Sequence, residues 1–165
     1  MTVQVYLGLG ANIEPQQCLR AGVAAVQQTF AQVHLSPVYQ TQAIGLDGPD
    51  FLNMVVALQT DWPLSALRDW IRLIEQQHGR QRSQPQPASH RLDMDVLLYG
   101  ERISGTDHLP RADILQRAYV LKPLVDIAPQ LLYPGSQKTM LELWQESSLG
   151  QTIVPFAMDF HDSQK

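Results

Sequence analysis

Arg91-Leu92-Asp93-Met94-Asp95-Val96-Leu97-Leu98-Tyr99 is the stretch from which the fold is read. At its start Leu92, Met94, Val96 and Leu98 fall on one side of an extended chain, and Asp93 and Asp95 on the other. The period of two predicts a strand with one buried face and one polar face. Such a strand needs neighbours with the same alternation. Val3 to Gly10 (VQVYLGLG) supplies Val3, Val5, Leu7 and Leu9, and Phe51 to Thr60 supplies Leu52, Met54, Val56 and Leu58. A further strand is expected over Val33 to Tyr39, broken by Pro37.

Between these strands the period changes to that of helices. Gln17 to Phe30 places Leu19, Val23, Val26 and Phe30 on one stripe, behind a turn at Gly8, Gly10 and Asn12. Pro63 opens a second helix with Leu64, Leu67, Trp70, Ile71 and Ile74 on one face, and Gly79 is its expected stop. Downstream, Asp113 is placed to cap a helix over Gln116 to Val125, interrupted by Pro123, and a last helix covers Met140 to Glu146. Thr41 to Asp50 is rich in turn formers and reads as a long loop. Gln81 to His90, polar and carrying Pro85 and Pro87, reads as a mobile one. The order β-α-β, loop, β-α-β predicts an α+β chain of ferredoxin-like layout: an antiparallel sheet with helices packed against one face, in one domain over residues 1–165.

Composition narrows the partners. Of 165 residues, 44% are apolar, enough for a sizeable core, and the formal net charge of -4 with a pI near 5.6 speaks against nucleic acid. No stretch is long and apolar enough to span a membrane, and the N-terminus does not resemble a secretion signal. Cys18 is the only cysteine, so no intrachain disulfide can form, and a reducing, cytoplasmic setting is expected. The chain is expected to act as a monomer on small molecules.

Asp93-x-Asp95 is the sharpest chemical signal. Two carboxylates on one strand face repel unless a cation lies between them, and they are the hard oxygen ligands Mg²⁺ prefers. The competing reading is a solvated polar face. Gly79-Arg80-x-Arg82 could bind phosphate through its guanidinium groups, or could simply end a helix with cations. His90 and Arg91 add to this basic cluster. No G-x-x-x-x-G-K-[ST] motif occurs, Gly8-Leu9-Gly10 lacks the rest of a dinucleotide fingerprint, and the histidines lack metal-ligand spacing.

Several ordered segments together resemble the 6-hydroxymethyl-7,8-dihydropterin pyrophosphokinase family of folate synthesis. They are Leu9-Gly10-Ala11-Asn12; Ser36-Pro37-Val38-Tyr39-Gln40-Thr41 with Gly45; Asp50-Phe51-Leu52-Asn53; Ile74-Glu75; Gly79-Arg80-x-Arg82; Arg91 to Gly100; Arg117-Ala118-Tyr119-Val120-Leu121-x-Pro123-Leu124; and Ile127-Ala128-Pro129. The resemblance implies transfer of pyrophosphate from ATP to the hydroxymethyl of a reduced pterin, with Mg²⁺ at Asp93 and Asp95. It further implies that Glu75, Arg80, Arg82 and Arg117 face the nucleotide, with Arg80, Arg82, Asp93 and Asp95 as the catalytic set. Thr41, Ile44, Phe51, Asn53 and Tyr119 would form the pterin pocket. Phe51 and Tyr119 can offer two stacking faces, and Asn53 a donor and an acceptor. Without the resemblance, both aromatics would read as core residues.

The departures lie in the loop and beyond it. The family's R-W-G-P-R-x-L-D-L-D is here Gln86-Pro87-Ala88-Ser89-His90-Arg91-Leu92-Asp93-Met94-Asp95, and its P-H-Y is Pro110-Arg111-Ala112. Arg91 and Arg111 are therefore expected to replace the lost phosphate contacts, Arg91 from the aspartates' side of the strand by the period-two count. The alternative expectation is a divergent pterin-binding paralogue with weak or no transfer. A third reading is an interaction module without a small ligand.

Overall fold

The computed structural model describes residues 1–42, 49–78 and 91–160. In chain order its elements are β1 (Val3–Ala11), α1 (Pro15–Thr29), β2 (Ala31–Leu35), β3 (Val38–Thr41), β4 (Phe51–Thr60), α2 (Leu64–Gln77), β5 (Asp93–Tyr99), α3 (Asp113–Gln116), α4 (Ala118–Ile127), α5 (Met140–Glu146) and β6 (Val154–Phe156). The sheet runs β5-β1-β4-β3-β6, with β2 also on β4, and every pair is antiparallel. This is the α+β, ferredoxin-like arrangement the alternation predicts.

The register explains the core. Leu7 lies opposite Val56 on one side and Val96 on the other, and Leu9 lies between Met54 and Met94. These residues share a face with Leu19, Val23 and Val26 of α1 and Leu67 and Ile71 of α2, all buried together. Burying each such aliphatic side chain contributes roughly 1.5–3 kcal/mol before chain entropy is subtracted. α1 lies close to the sheet because Gly22 has no side chain: a Cβ there would come within 3.1 Å of Leu9 and 3.2 Å of Leu92.

Three local features differ from the sequence expectation. First, helices cover both faces of the sheet. Val55, Leu97 and Leu98 form a second buried cluster with Ile114, Val120, Leu121, Leu124 and Met140, so the C-terminal helices pack opposite α1 and α2. Second, β5 carries a bulge. Tyr6 faces Leu98 but Leu7 faces Val96, so one residue is inserted and the alternation reverses. Leu98 joins the second cluster and Tyr99 the first, rather than Leu98 continuing the Leu92–Val96 side. Third, α4 continues through Pro123, whose ring is buried. The proline removes one helix bond without ending the helix.

Pro37 divides the expected second strand into β2 and β3, and Ser36 closes the gap. Its N–H donates to the Val55 carbonyl at 2.9 Å, and its Oγ accepts the Val55 N–H at 2.8 Å. β6 was not expected from the sequence. It pairs with β3, setting Val38 opposite Phe156 and Gln40 opposite Val154.

Candidate functional site

The sheet face away from α1 and α2 brings several of the expected site residues together. One row across it reads Asp95, Gly8, Val55, and the next reads Asp93, Gly10, Asn53, Tyr39. Phe51 lies opposite Thr41 on the same face. Residues paired directly across antiparallel strands project to one side, so the aspartates, Asn53, Phe51 and Thr41 share a surface. Gly8 and Gly10 form a floor without side chains in these rows, and the Leu97 side chain lies over Gly8, 3.4 Å from where a Cβ would be. The fit is tight at Gly10, where a Cβ would lie 2.5 Å from Asn53 Oδ1.

Asn53 is 9% exposed, and its Nδ2 is buried with no hydrogen-bond partner among the described residues. A buried amide donor without a partner costs about 1–3 kcal/mol, so an acceptor from a bound molecule is the natural occupant. Phe51 is half-buried beside it.

Arg111 approaches the carboxylates from the segment after β5. Its backbone N–H donates to the Leu97 carbonyl at 3.0 Å, which fixes the segment on the sheet. Its Nη2 is 3.6 Å from Asp95 Oδ1, and its Nε is 3.6 Å from Asp113 Oδ2. That Nε is buried and makes no hydrogen bond among the described residues. Tyr119 packs on the second cluster beside these charges. Burial raises its phenol pKa; nearby Arg117 opposes the rise, while Asp113 and Asp95 add to it. Arg117, half-buried, joins α3 to α4 with extended backbone and is in no ion pair among the described residues.

α4 is held over this face by Tyr39. Its hydroxyl donates to Asp126, which also pairs with Lys122 one helical turn earlier. Burial, then the hydrogen bond to Asp126, pushes the Tyr39 pKa far above the usual tyrosine value. Hydrogen bonds to charged groups contribute about 1.5–3 kcal/mol, so Tyr39→Phe is expected to lower unfolding stability by about 2 kcal/mol in a urea titration. An unchanged midpoint would show that the contact contributes nothing.

Glu75 is 1% exposed, and its carboxylate accepts the Met94 N–H at 2.9 Å. It therefore braces β5 at the residue between the two aspartates. Arg91 lies before the strand, which begins at Asp93, so the period-two count does not apply to it. Its guanidinium pairs with Glu14, next to the start of α1, at 2.9 Å. Ile44, Arg80, Arg82, His90, the Gly79 helix stop and the Gln81 to His90 loop fall outside the described residues. No group of three or more His, Cys, Asp or Glu poised to hold a metal occurs among the described residues. None of their helices is long and apolar enough to cross a membrane. Sequence reasoning missed the floor glycines and Tyr39 as parts of this surface. Their signal was present in the strand parity, once the order of strands is known.

The family model described as 7,8-dihydro-6-hydroxymethylpterin-pyrophosphokinase matches residues 6–129. The chain is 34% identical over 142 residues to a Haemophilus influenzae protein named 2-amino-4-hydroxy-6-hydroxymethyldihydropteridine pyrophosphokinase, covering 82% of this chain and 88% of that one. It is 36% identical over 143 residues to a Pseudomonas aeruginosa protein of the same name, covering 83% and 88%. A Plasmodium falciparum HPPK-DHPS crystal structure with pterin and p-hydroxybenzoate superposes with a TM-score of 0.65 at 13% identity, a likeness of fold. The match covers 88% of this chain and 43% of that one, so this chain spans less than half of that protein's length.

Proposed function

This chain belongs to the 7,8-dihydro-6-hydroxymethylpterin-pyrophosphokinase family, whose members are ATP-dependent pyrophosphokinases, and we propose that it transfers pyrophosphate to the pterin across the β5-β1-β4 face just described. The observation that carries the reading is Asn53 Nδ2, a buried donor without a partner among the described residues, in the same row as Asp93. A pterin edge offers ring nitrogen and carbonyl acceptors. Phe51 and Tyr119 stack on its faces, and Thr41 and Ile44 complete the pocket.

Asp93 and Asp95 hold Mg²⁺. Two carboxylates suit an ion that usually takes one or two from the protein and the rest of its oxygen shell from water and substrate phosphates. Held by Asp93 and Asp95, such an ion would supply charge neutralisation at the phosphate oxygens. The guanidinium groups of Arg80, Arg82, Arg111 and Arg117 hold the phosphate chain. Arg111 already lies beside Asp95, and Arg91, in an exposed pair with Glu14, joins it on the phosphates. Glu75 contributes through β5, by fixing Met94 between the aspartates.

In the transfer, the hydroxymethyl oxygen bonds to the β-phosphorus and the bond from that phosphorus to the α,β-bridging oxygen breaks. AMP departs with the bridging oxygen, and the hydroxyl proton passes to water. Positioning and charge neutralisation supply the rate enhancement. Incubation with ATP, Mg²⁺ and 6-hydroxymethyl-7,8-dihydropterin should yield AMP and the pterin diphosphate in equal amounts. Binding of the pterin with no AMP formed would instead identify a non-catalytic relative.

The stacking assignment has its own test. The Phe51→Ala, Tyr119→Ala double variant should bind the pterin about thirtyfold more weakly in a fluorescence titration, about 2 kcal/mol for two lost aromatic faces. Wild-type affinity in that variant would place the ring elsewhere.

A further inference from the structure

Gln151 lies between α5 and β6, beyond the last residue of the family match. Its side chain reaches back to the junction of α3 and α4. The Oε1 atom accepts the Ala118 backbone N–H at 2.6 Å, and Nε2 donates to the Gln116 carbonyl at 3.0 Å. The two contacts straddle Arg117. Ala118 is the first residue of α4, and its N–H is one of the donors that a helix start leaves without an internal partner. The N-cap residue normally satisfies one of these donors with its own short polar side chain. Here the N-cap is Arg117, which makes no side-chain cap, and the amide of Gln151 supplies an acceptor from outside the helix.

The stretch that carries Gln151 is held on both sides. Before it, α5 packs against α4, with Met140 fully buried. After it, β6 pairs with β3, and the Asp159 carbonyl accepts from Arg20 Nε of α1 at 3.3 Å. A side chain fixed at both flanks can hold the short α3–α4 junction in one conformation. That conformation is extended at Arg117, with φ -128° and ψ 120°, between two helical segments.

We infer that Gln151 is a positioning residue for nucleotide binding, a cap supplied by the C-terminal segment that holds the backbone on both sides of Arg117 and so aims its guanidinium at the phosphates. This rests on the proposed role of Arg117. Losing the cap should weaken ATP binding without slowing the chemical step, because Arg117 makes its contact in the bound complex before transfer begins.

Steady-state kinetics of AMP formation test it, on wild type, Gln151→Ala and Gln151→Glu at a temperature where circular dichroism shows all three folded. Gln151→Ala should raise the KM for ATP about fivefold, the usual cost of a lost cap, with kcat within about twofold of wild type. Gln151→Glu keeps an acceptor for the Ala118 N–H and loses only the donor to the Gln116 carbonyl, so its KM for ATP should rise less than that of Gln151→Ala. A Gln151→Ala enzyme with the wild-type KM for ATP would overturn the inference. So would a loss confined to kcat, or equal impairment of the two variants. A wild type that binds pterin but forms no AMP would overturn the functional reading itself, and this inference with it.

Discussion

Asp93→Asn and Asp95→Asn should each abolish pyrophosphoryl transfer, by about three orders of magnitude in kcat/KM, while leaving the protein folded. The size follows from the role. A ligand of the ion that neutralises the phosphates supplies several kcal/mol of transition-state stabilisation, and each 1.4 kcal/mol lost is about tenfold in rate. Stability should hardly change. Both side chains are part-exposed, and Asn has the size of Asp, so the packing around each is kept. Asp95→Asn also loses its pairing with Arg111, a part-exposed contact at 3.6 Å, which should cost less than about 1 kcal/mol. Urea midpoints near the wild-type value, alongside lost AMP formation and weakened Mg²⁺-dependent ATP-analogue binding, are the expected pattern. Either variant retaining a tenth or more of wild-type kcat/KM at saturating Mg²⁺ would remove the metal assignment.

That site was partly legible in the sequence because a strand's period of two fixes which residues share a face. Parity alone placed Asp93 and Asp95 together and set Leu92, Met94 and Val96 against the core. It failed wherever the period did. Arg91 precedes the strand, so its guanidinium turns to Glu14 rather than to the aspartates' face. Leu98 follows a bulge, so it turns to the second cluster. Contacts between distant segments had no local signal at all. Glu75 stood out only through the family resemblance, as a residue facing the nucleotide, and nothing local showed that it accepts the N–H between the two aspartates. Tyr39 anchors α4 through Asp126, 87 positions away. β6 is three residues long, carries a proline and has an exposed start, too short to show a period. Arg111 is the instructive case. It first stood out as a departure from the family's pattern, and the fold places it 3.6 Å from Asp95 because its backbone is tied to Leu97.

Gly10 was legible only as a turn former, and its fit against Asn53 leads to the second large expected effect. A methyl group at position 10 would meet Asn53 Oδ1 at 2.5 Å, closer than such atoms can approach. Gly10 is itself buried, in the middle of three paired strands, so its backbone cannot withdraw. The amide of Asn53 must rotate away, and its Nδ2 leaves the position from which it would meet the pterin edge. Gly10→Ala should therefore weaken pterin binding about as much as Asn53→Ala does, roughly a hundredfold, because in both cases buried ligand acceptors lose their donor. The two changes act through one contact, so they should not add. In an Asn53→Ala background the space beside position 10 is open, and Gly10→Ala should cost less than about threefold more. Four pterin titrations, on wild type, both single variants and the double variant, complete the cycle. Full additivity, or wild-type affinity in Gly10→Ala, would mean that the pterin edge is read by another residue and that Asn53 Nδ2 does not face the ligand.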